Sequence, residues 1–172
     1  MEVVKGPDNN LDQAVYQLVN QYQTALLRMC YLYLKDKALA EDAVQETFIK
    51  AYRAMPAFRG ECNEKTWLMR IAINTCRDMQ RSGWFRHVDR HITPEELPEA
   101  SMPFEVEDEE ITLTIMKLPR KCKEVLMLRY YQDMSVTEIA ASLNVAPSTV
   151  YNQLNRARKK MRTMLERGRF YG

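Results

Sequence analysis

Apolar residues recur every three to four positions from the start of the chain: Leu11, Val15, Leu18, Tyr22, Ala25, Leu26 and Met29. This spacing puts one apolar stripe on an amphipathic helix that continues to about Leu34. Asp36 can cap a second helix starting near Ala38, with Leu39, Ala43, Val44, Thr47, Phe48, Ala51 and Met55 on its buried face and Pro56 ending it. A polar loop, AFRGECNEK, follows. Asn63 can cap a third helix carrying Trp67, Leu68, Ile71, Ala72, Thr75 and Met79, which stops at Ser82-Gly83. On that face Trp67 is expected to be core. The pattern then breaks, with Pro94, Pro98 and Pro103 interrupting any helix, and resumes at Ile111–Leu118. Pro119 opens the next helix, with Val125, Leu126 and Leu128 for its core. No alternating strand pattern is present, so the expected fold is all-α.

The segment from Ser135 to Arg162, SVTEIAASLNVAPSTVYNQLNRARKKMR, has the grammar of a helix-turn-helix. Ser135 with Glu138 forms a capping box, so a helix starts there. Ile139, Ala140 and Leu143 give it one apolar face. Asn144 tolerates the left-handed conformation and can turn the chain, and Pro147 suits the first turn of the next helix. Val150, Leu154, Ala157, Met161 and Leu165 then hold that helix on its domain, while the opposite face offers donors and positive charge. Such a helix suits a DNA major groove. Tyr151, Asn152, Asn155 and Arg156 are the base-reading candidates, since Asn can bridge adenine and Arg guanine. Ser148, Thr149, Arg158 and Lys159 are candidates for phosphate contacts.

Charge sharpens the division of the chain. The net charge is only +2 over 172 residues. Residues 1–84 carry 11 Lys/Arg against 10 Asp/Glu, residues 85–110 carry 2 against 9, and residues 111–172 carry 12 against 4. A phosphate-bearing partner therefore fits the last segment best. Two small helical domains, 1–84 and 111–172, joined by a flexible acidic linker at 85–110, are the expected architecture. Cys30, Cys62, Cys76 and Cys122 are too dispersed for a metal site, and His87 and His91 stand beside no clustered cysteine. No metal and no cofactor is expected, and the thiols should be free in a reducing cytoplasm. The N-terminus MEVVKGPDNN does not read as a signal peptide, and no apolar run is long enough for membrane insertion.

Three passages resemble a known family. AEDAVQETFIKAY is similar to region 2.2 of the sigma-70 family, and FRGECNEKTWLMRIAINTCRDMQR to its regions 2.3 and 2.4. LPRKCKEVLMLRYYQDMSVTEIAASLNVAPSTVYNQLNRARKKM looks like region 4. Both regions in order resemble a bacterial extracytoplasmic-function (ECF, group 4) sigma factor, over about residues 11–165. The resemblance implies a non-enzymatic initiation factor that directs core RNA polymerase to −35 and −10 promoter elements. Its implied partners are core polymerase (the β′ clamp helices and the β flap), promoter DNA and an anti-sigma factor.

By that resemblance Asp42, Gln45, Glu46 and Lys50 are the polymerase-binding positions. Arg59, Asn63, Lys65, Asn74, Arg77 and Arg81 are the −10 positions, where a polar loop can hold an unstacked base and basic residues the displaced strand. The alternative is a dimeric helix-turn-helix transcriptional regulator. That would need a self-association face and a palindromic site.

Overall fold

Four side chains set helix boundaries. In this computed structural model, which describes residues 9–82 and 109–171, Asp36 accepts a hydrogen bond from the Leu39 amide at 2.9 Å. Asn63 accepts one from the Thr66 amide at 2.7 Å. Ser135 and Glu138 complete a reciprocal capping box. Each satisfies amides that a helix start leaves unpaired. The N-terminal half therefore holds α1 (Asn9–Leu34), α2 (Lys37–Ala54) and α3 (Glu64–Arg81). A 3-10 turn at Met55–Ala57 carries Pro56, and Gly60 takes the left-handed backbone of the loop at φ 72°.

The C-terminal half holds α4 (Glu109–Lys117), α5 (Arg120–Tyr130), α6 (Val136–Leu143) and α7 (Pro147–Tyr171). Asn144 ends α6 in the left-handed conformation, φ 55° and ψ 49°. Its amide and that of Val145 both bond back to the Ala140 carbonyl. The α4 helix begins two residues earlier than the apolar pattern places it. Glu109 and Glu110 form its first turn, where carboxylates favour the helix dipole. Residues 83–108, with most of the expected linker and with His87 and His91, lie outside the described residues.

The described helices share a continuous apolar core. At the end of α1, Met29, Cys30, Tyr31, Leu32, Tyr33 and Leu34 are all buried, so the helix is enclosed around its whole circumference. On one side α2 and α3 cover it, and on the other α4 and α5 of the C-terminal half. The same holds for Cys122–Leu128 of α5, which includes the charged pair Lys123 and Glu124. Each fully buried Leu or Met there contributes about 1.5–3 kcal/mol. Each charge has its own partner: Glu124 pairs with Arg77, where a well-bonded buried pair roughly breaks even, and Lys123 is held by the carbonyl and ring of Tyr33.

Glu124 accepts from the Tyr33 hydroxyl at 2.7 Å and from Arg77 Nε and Nη2 at 2.9 and 2.7 Å. Lys123 Nζ donates to the Tyr33 carbonyl at 3.1 Å and lies 4.9 Å from the centroid of its ring. Burial, opposed by Glu124, pulls the Lys123 ammonium down to about 8. Burial and then the Glu124 charge push the Tyr33 hydroxyl well above its usual value, so it remains a donor.

Candidate nucleic-acid interface

The second helix of the helix-turn-helix is anchored by Val150, Leu154 and Ala157, all buried. At 3.6 residues per turn this fixes what the opposite side presents. Ser148, Tyr151, Asn152, Asn155, Arg156 and Lys159 are exposed and share that side, with Tyr151 59% exposed. Thr149 is half-buried, its amide bonded to the Ala146 carbonyl at 3.0 Å. Arg158 is exposed but turned aside. It lines a groove with Ile111, Tyr130, Met161 and Arg162, between α4, α5 and α7. The convergent set is thus a polar patch with one aromatic and two cations, a composition suited to base edges and phosphates together.

The N-terminal half carries a second polar cluster, at the loop before α3 and on α3 itself. Phe58 and Trp67 stack with centroids 4.6 Å apart. With Arg59, Cys62, Arg70 and Ala141 they line a shallow cavity. Trp67 is therefore only half-buried, packed on the core with one side and bordering the cavity with the other.

Of the six residues that the sequence places here, Arg59 and Asn74 are exposed, and Arg81 bonds Asp78 at 3.0 Å. The other three reach across to the C-terminal half. Asn63 Nδ2 donates to Glu138 at 2.8 Å, Lys65 Nζ donates to the Gln132 carbonyl, and Arg77 holds Glu124. Arg70, which sequence reasoning passed over, donates through Nε to the Ala141 carbonyl at 2.9 Å. Its position between Met69 and Ile71, within the apolar stretch of α3, gave no sign that it borders a cavity. The Ser135 amide and the Asn63 amide group hold the Glu138 carboxyl below its usual range.

On α2, Asp42, Gln45 and Glu46 gather in one groove with Ile49, Met79 and Ser82. Ile49 is 45% exposed, an apolar side chain within an otherwise polar surface. Lys50 does not join them. Its ammonium donates to the Thr75 hydroxyl at 3.2 Å and pairs with Asp78 at 3.8 Å, tying α2 to α3.

All four thiols are free. Cys30 and Cys76 lie 3.7 Å apart, buried between α1 and α3. That contact, together with burial, raises the Cys30 thiol well above its usual value and makes it a packing group. Among the described residues no cluster of His, Cys, Asp and Glu could hold a metal ion. No described helix is long and apolar enough to cross a membrane.

Two helical units, one with a helix-turn-helix and one with a polar loop beside stacked aromatics, define the architecture of a nucleic-acid-binding protein. Family comparison agrees: residues 18–86 match the model for sigma-70 region 2 and residues 108–161 that for sigma-70 region 4. The RNA polymerase sigma-H factor of Pseudomonas aeruginosa is 32% identical over 87% of this chain and 84% of its own length. The ECF RNA polymerase sigma factor SigW of Bacillus subtilis is 30% identical over 95% of this chain and 93% of its own. A solved structure of CnrH in complex with the cytosolic domain of CnrY superposes with TM-score 0.70 at 27% identity, covering 90% of this chain and 89% of that one. The chain belongs to the sigma-70 family, among its extracytoplasmic-function sigma factors.

Proposed function

We propose that this sigma factor divides promoter recognition between its two halves, in the cytoplasm and on core RNA polymerase. The exposed side of α7 reads the −35 element. Tyr151, Asn152, Asn155 and Arg156 face base edges, and Ser148, Thr149 and Lys159 fix register on phosphates. Arg158, at the flank, supplies general attraction. The loop around Arg59 and the exposed side of α3 take the −10 element, with Asn63 and the aromatic-lined cavity for an unstacked base and Lys65, Asn74, Arg77 and Arg81 for the strand. The groove of Asp42, Gln45 and Glu46 docks on the β′ clamp helices, with Ile49 as its apolar anchor, and residues 111–172 meet the β flap. An anti-sigma factor fits the same exposed surfaces; the similar solved structure, CnrH, is itself in complex with the cytosolic domain of CnrY.

One observation carries this reading most directly: a capped helix-turn-helix and a separate polar loop lie on one chain that both sigma-70 regions match in order. The region 2 match also disfavours the dimeric regulator, which has no use for such a unit. The role needs no bond chemistry; strand opening draws on binding energy alone. Run-off transcription with core RNA polymerase on a genomic library, with and without this protein, tests it. New start sites sharing a −35/−10 pair are expected. Transcripts that do not depend on the protein would refute it.

A further inference from the structure

We propose that Cys30 and Cys76 form an oxidative modification site: a hydroperoxide converts the pair to a disulfide that staples α1 to α3. The inference is independent of the promoter reading and goes beyond it.

The geometry of the pair carries the argument. Both side chains are 0% exposed, and their sulfurs lie 3.7 Å apart between α1 and α3. Bonded sulfurs are about 2.05 Å apart, so about 1.7 Å remains to be closed from 3.7 Å. Small torsions about the two Cα–Cβ bonds cover that distance. The two residues are 46 apart in sequence, and the whole of α2 lies within the loop between them. A staple here ties all three helices of the N-terminal half into one covalent ring.

The surroundings divide the roles. The buried Lys123 ammonium interacts favourably with the charge of a Cys76 thiolate. A cation beside a thiol makes the thiolate, the reactive form, available. For Cys30 the contact with Cys76, and then burial, act the other way and keep it protonated. Cys76 is therefore the attacking sulfur and Cys30 the resolving one. In the first step the Cys76 thiolate attacks the O–O bond of the hydroperoxide. Sulfur keeps one oxygen as a sulfenic acid, the O–O bond breaks, and the departing oxygen takes up the proton that Cys76 released. It leaves as an alcohol, or as water when the oxidant is hydrogen peroxide. In the second step the Cys30 sulfur attacks the Cys76 sulfenic acid. The S–S bond forms, the S–O bond breaks, and hydroxide leaves with the Cys30 proton as water. The sulfurs give up two electrons in all, and the peroxide oxygens accept them.

Burial decides how the site behaves. At rest the enclosed pair is packing, and peroxide meets it only during local openings of the helical core. The half-buried Cys62 reacts sooner. Once Cys76 carries an oxygen, the second step is fast because its partner is already in contact. The same enclosure keeps reductants from the finished disulfide, so the mark outlasts the oxidant.

The full-length protein tests the proposal. Reduced wild type is treated with hydrogen peroxide in native buffer, remaining thiols are alkylated in denaturant, and peptides are mapped by mass without reduction. A crosslinked Cys30–Cys76 peptide, lost on treatment with dithiothreitol, is expected. The urea midpoint of the oxidised protein should rise by about 1–2 M, from the gain of a closed loop and the usual denaturant dependence. Dimedone, which traps sulfenic acids, separates the roles: Cys30→Ala should carry its adduct at Cys76, and Cys76→Ala none at Cys30. Wild type in which Cys62 is oxidised while Cys30 and Cys76 are both still alkylated overturns the proposal. So does a crosslink that forms in urea but not in the native protein. If either alanine variant loses its helix content by circular dichroism, the wild-type peptide map alone decides.

Discussion

Arg77 of α3 grips Glu124 of α5 through two hydrogen bonds, 2.9 and 2.7 Å, between residues 47 apart in sequence. Glu124 is almost wholly buried and Arg77 about one-fifth exposed. Removing Arg77 leaves the carboxylate with the Tyr33 hydroxyl alone. The loss is capped, because the halves can part and let water reach Glu124. Arg77→Met should therefore lower stability to urea by about 1–3 kcal/mol, the cost of an under-satisfied buried group. Adding Glu124→Leu should recover most of it, because apolar replacement of a buried pair is often neutral. Additive losses in the double variant would contradict this account.

The recognition helix separates two kinds of contact. Arg156→Ala should lose about 1–3 kcal/mol and relax preference at one −35 base pair. Lys159→Ala should weaken all sequences alike and lower the salt slope by about one counterion. A panel of promoter variants at two salt concentrations distinguishes them. Identical behaviour of the two variants would remove Arg156 from direct readout.

The α2 groove makes a contrast between neighbours. Glu46→Lys should impair association with core polymerase while leaving duplex DNA binding by α7 intact. Lys50→Ala should spare that association and instead loosen α2 from α3, by no more than about 1 kcal/mol for so exposed a pair. Co-elution with core polymerase and urea midpoints measure both. Unchanged co-elution of the Glu46→Lys protein would overturn the docking assignment.

Lys123 gives the fold a pH dependence. Its ammonium titrates near 8 when buried against a usual value of 10.5. Between those values the unfolded chain binds more protons than the folded one, so stability rises with pH across that window. Below about pH 8 the burial penalty is fully present and the curve is flat with respect to this group. The raised Cys30 thiol opposes this trend in both proteins, so urea midpoints should change more favourably from pH 7.5 to 9.5 in the wild type than in Lys123→Met. Equal slopes in both proteins would show that Lys123 is not the source.

The helix boundaries were legible because their causes are local. Asp36, Asn63, Ser135 with Glu138, Asn144 and Pro147 each act within four residues, and the structure has each at the helix end its chemistry implies. The start of α4 was missed because Glu109 and Glu110 share the composition of the acidic stretch before them. The contact between the halves was not legible. Tyr33 and Glu124 meet across 91 positions, and a Lys-Glu pair such as Lys123-Glu124 reads as solvated until something covers it. The unbroken apolar run from Met29 to Leu34 was the available hint, since one stripe would have sufficed for α2 and α3 alone. For the polar cluster, residue type was readable but engagement was not. Asn63, Lys65 and Arg77 have partners, Lys50 and Arg158 turn away from the groups expected around them, and Arg70 joins unannounced.

The enclosure of Met29–Leu34 also bears on how the protein is made. A ribosome adds about 5–20 residues per second, so roughly 2–10 s pass between synthesis of the end of α3 and of the end of α5. During that interval the side of α1 that α4 and α5 will cover, including Tyr33, stands uncovered on a nascent chain. It is an aromatic and aliphatic strip of the kind that holdase chaperones bind. Stalled chains ending near residue 110 should crosslink to such a chaperone, and released full-length chains should not. The seam that joins the two halves of the finished protein is thus also its point of greatest exposure to aggregation during synthesis.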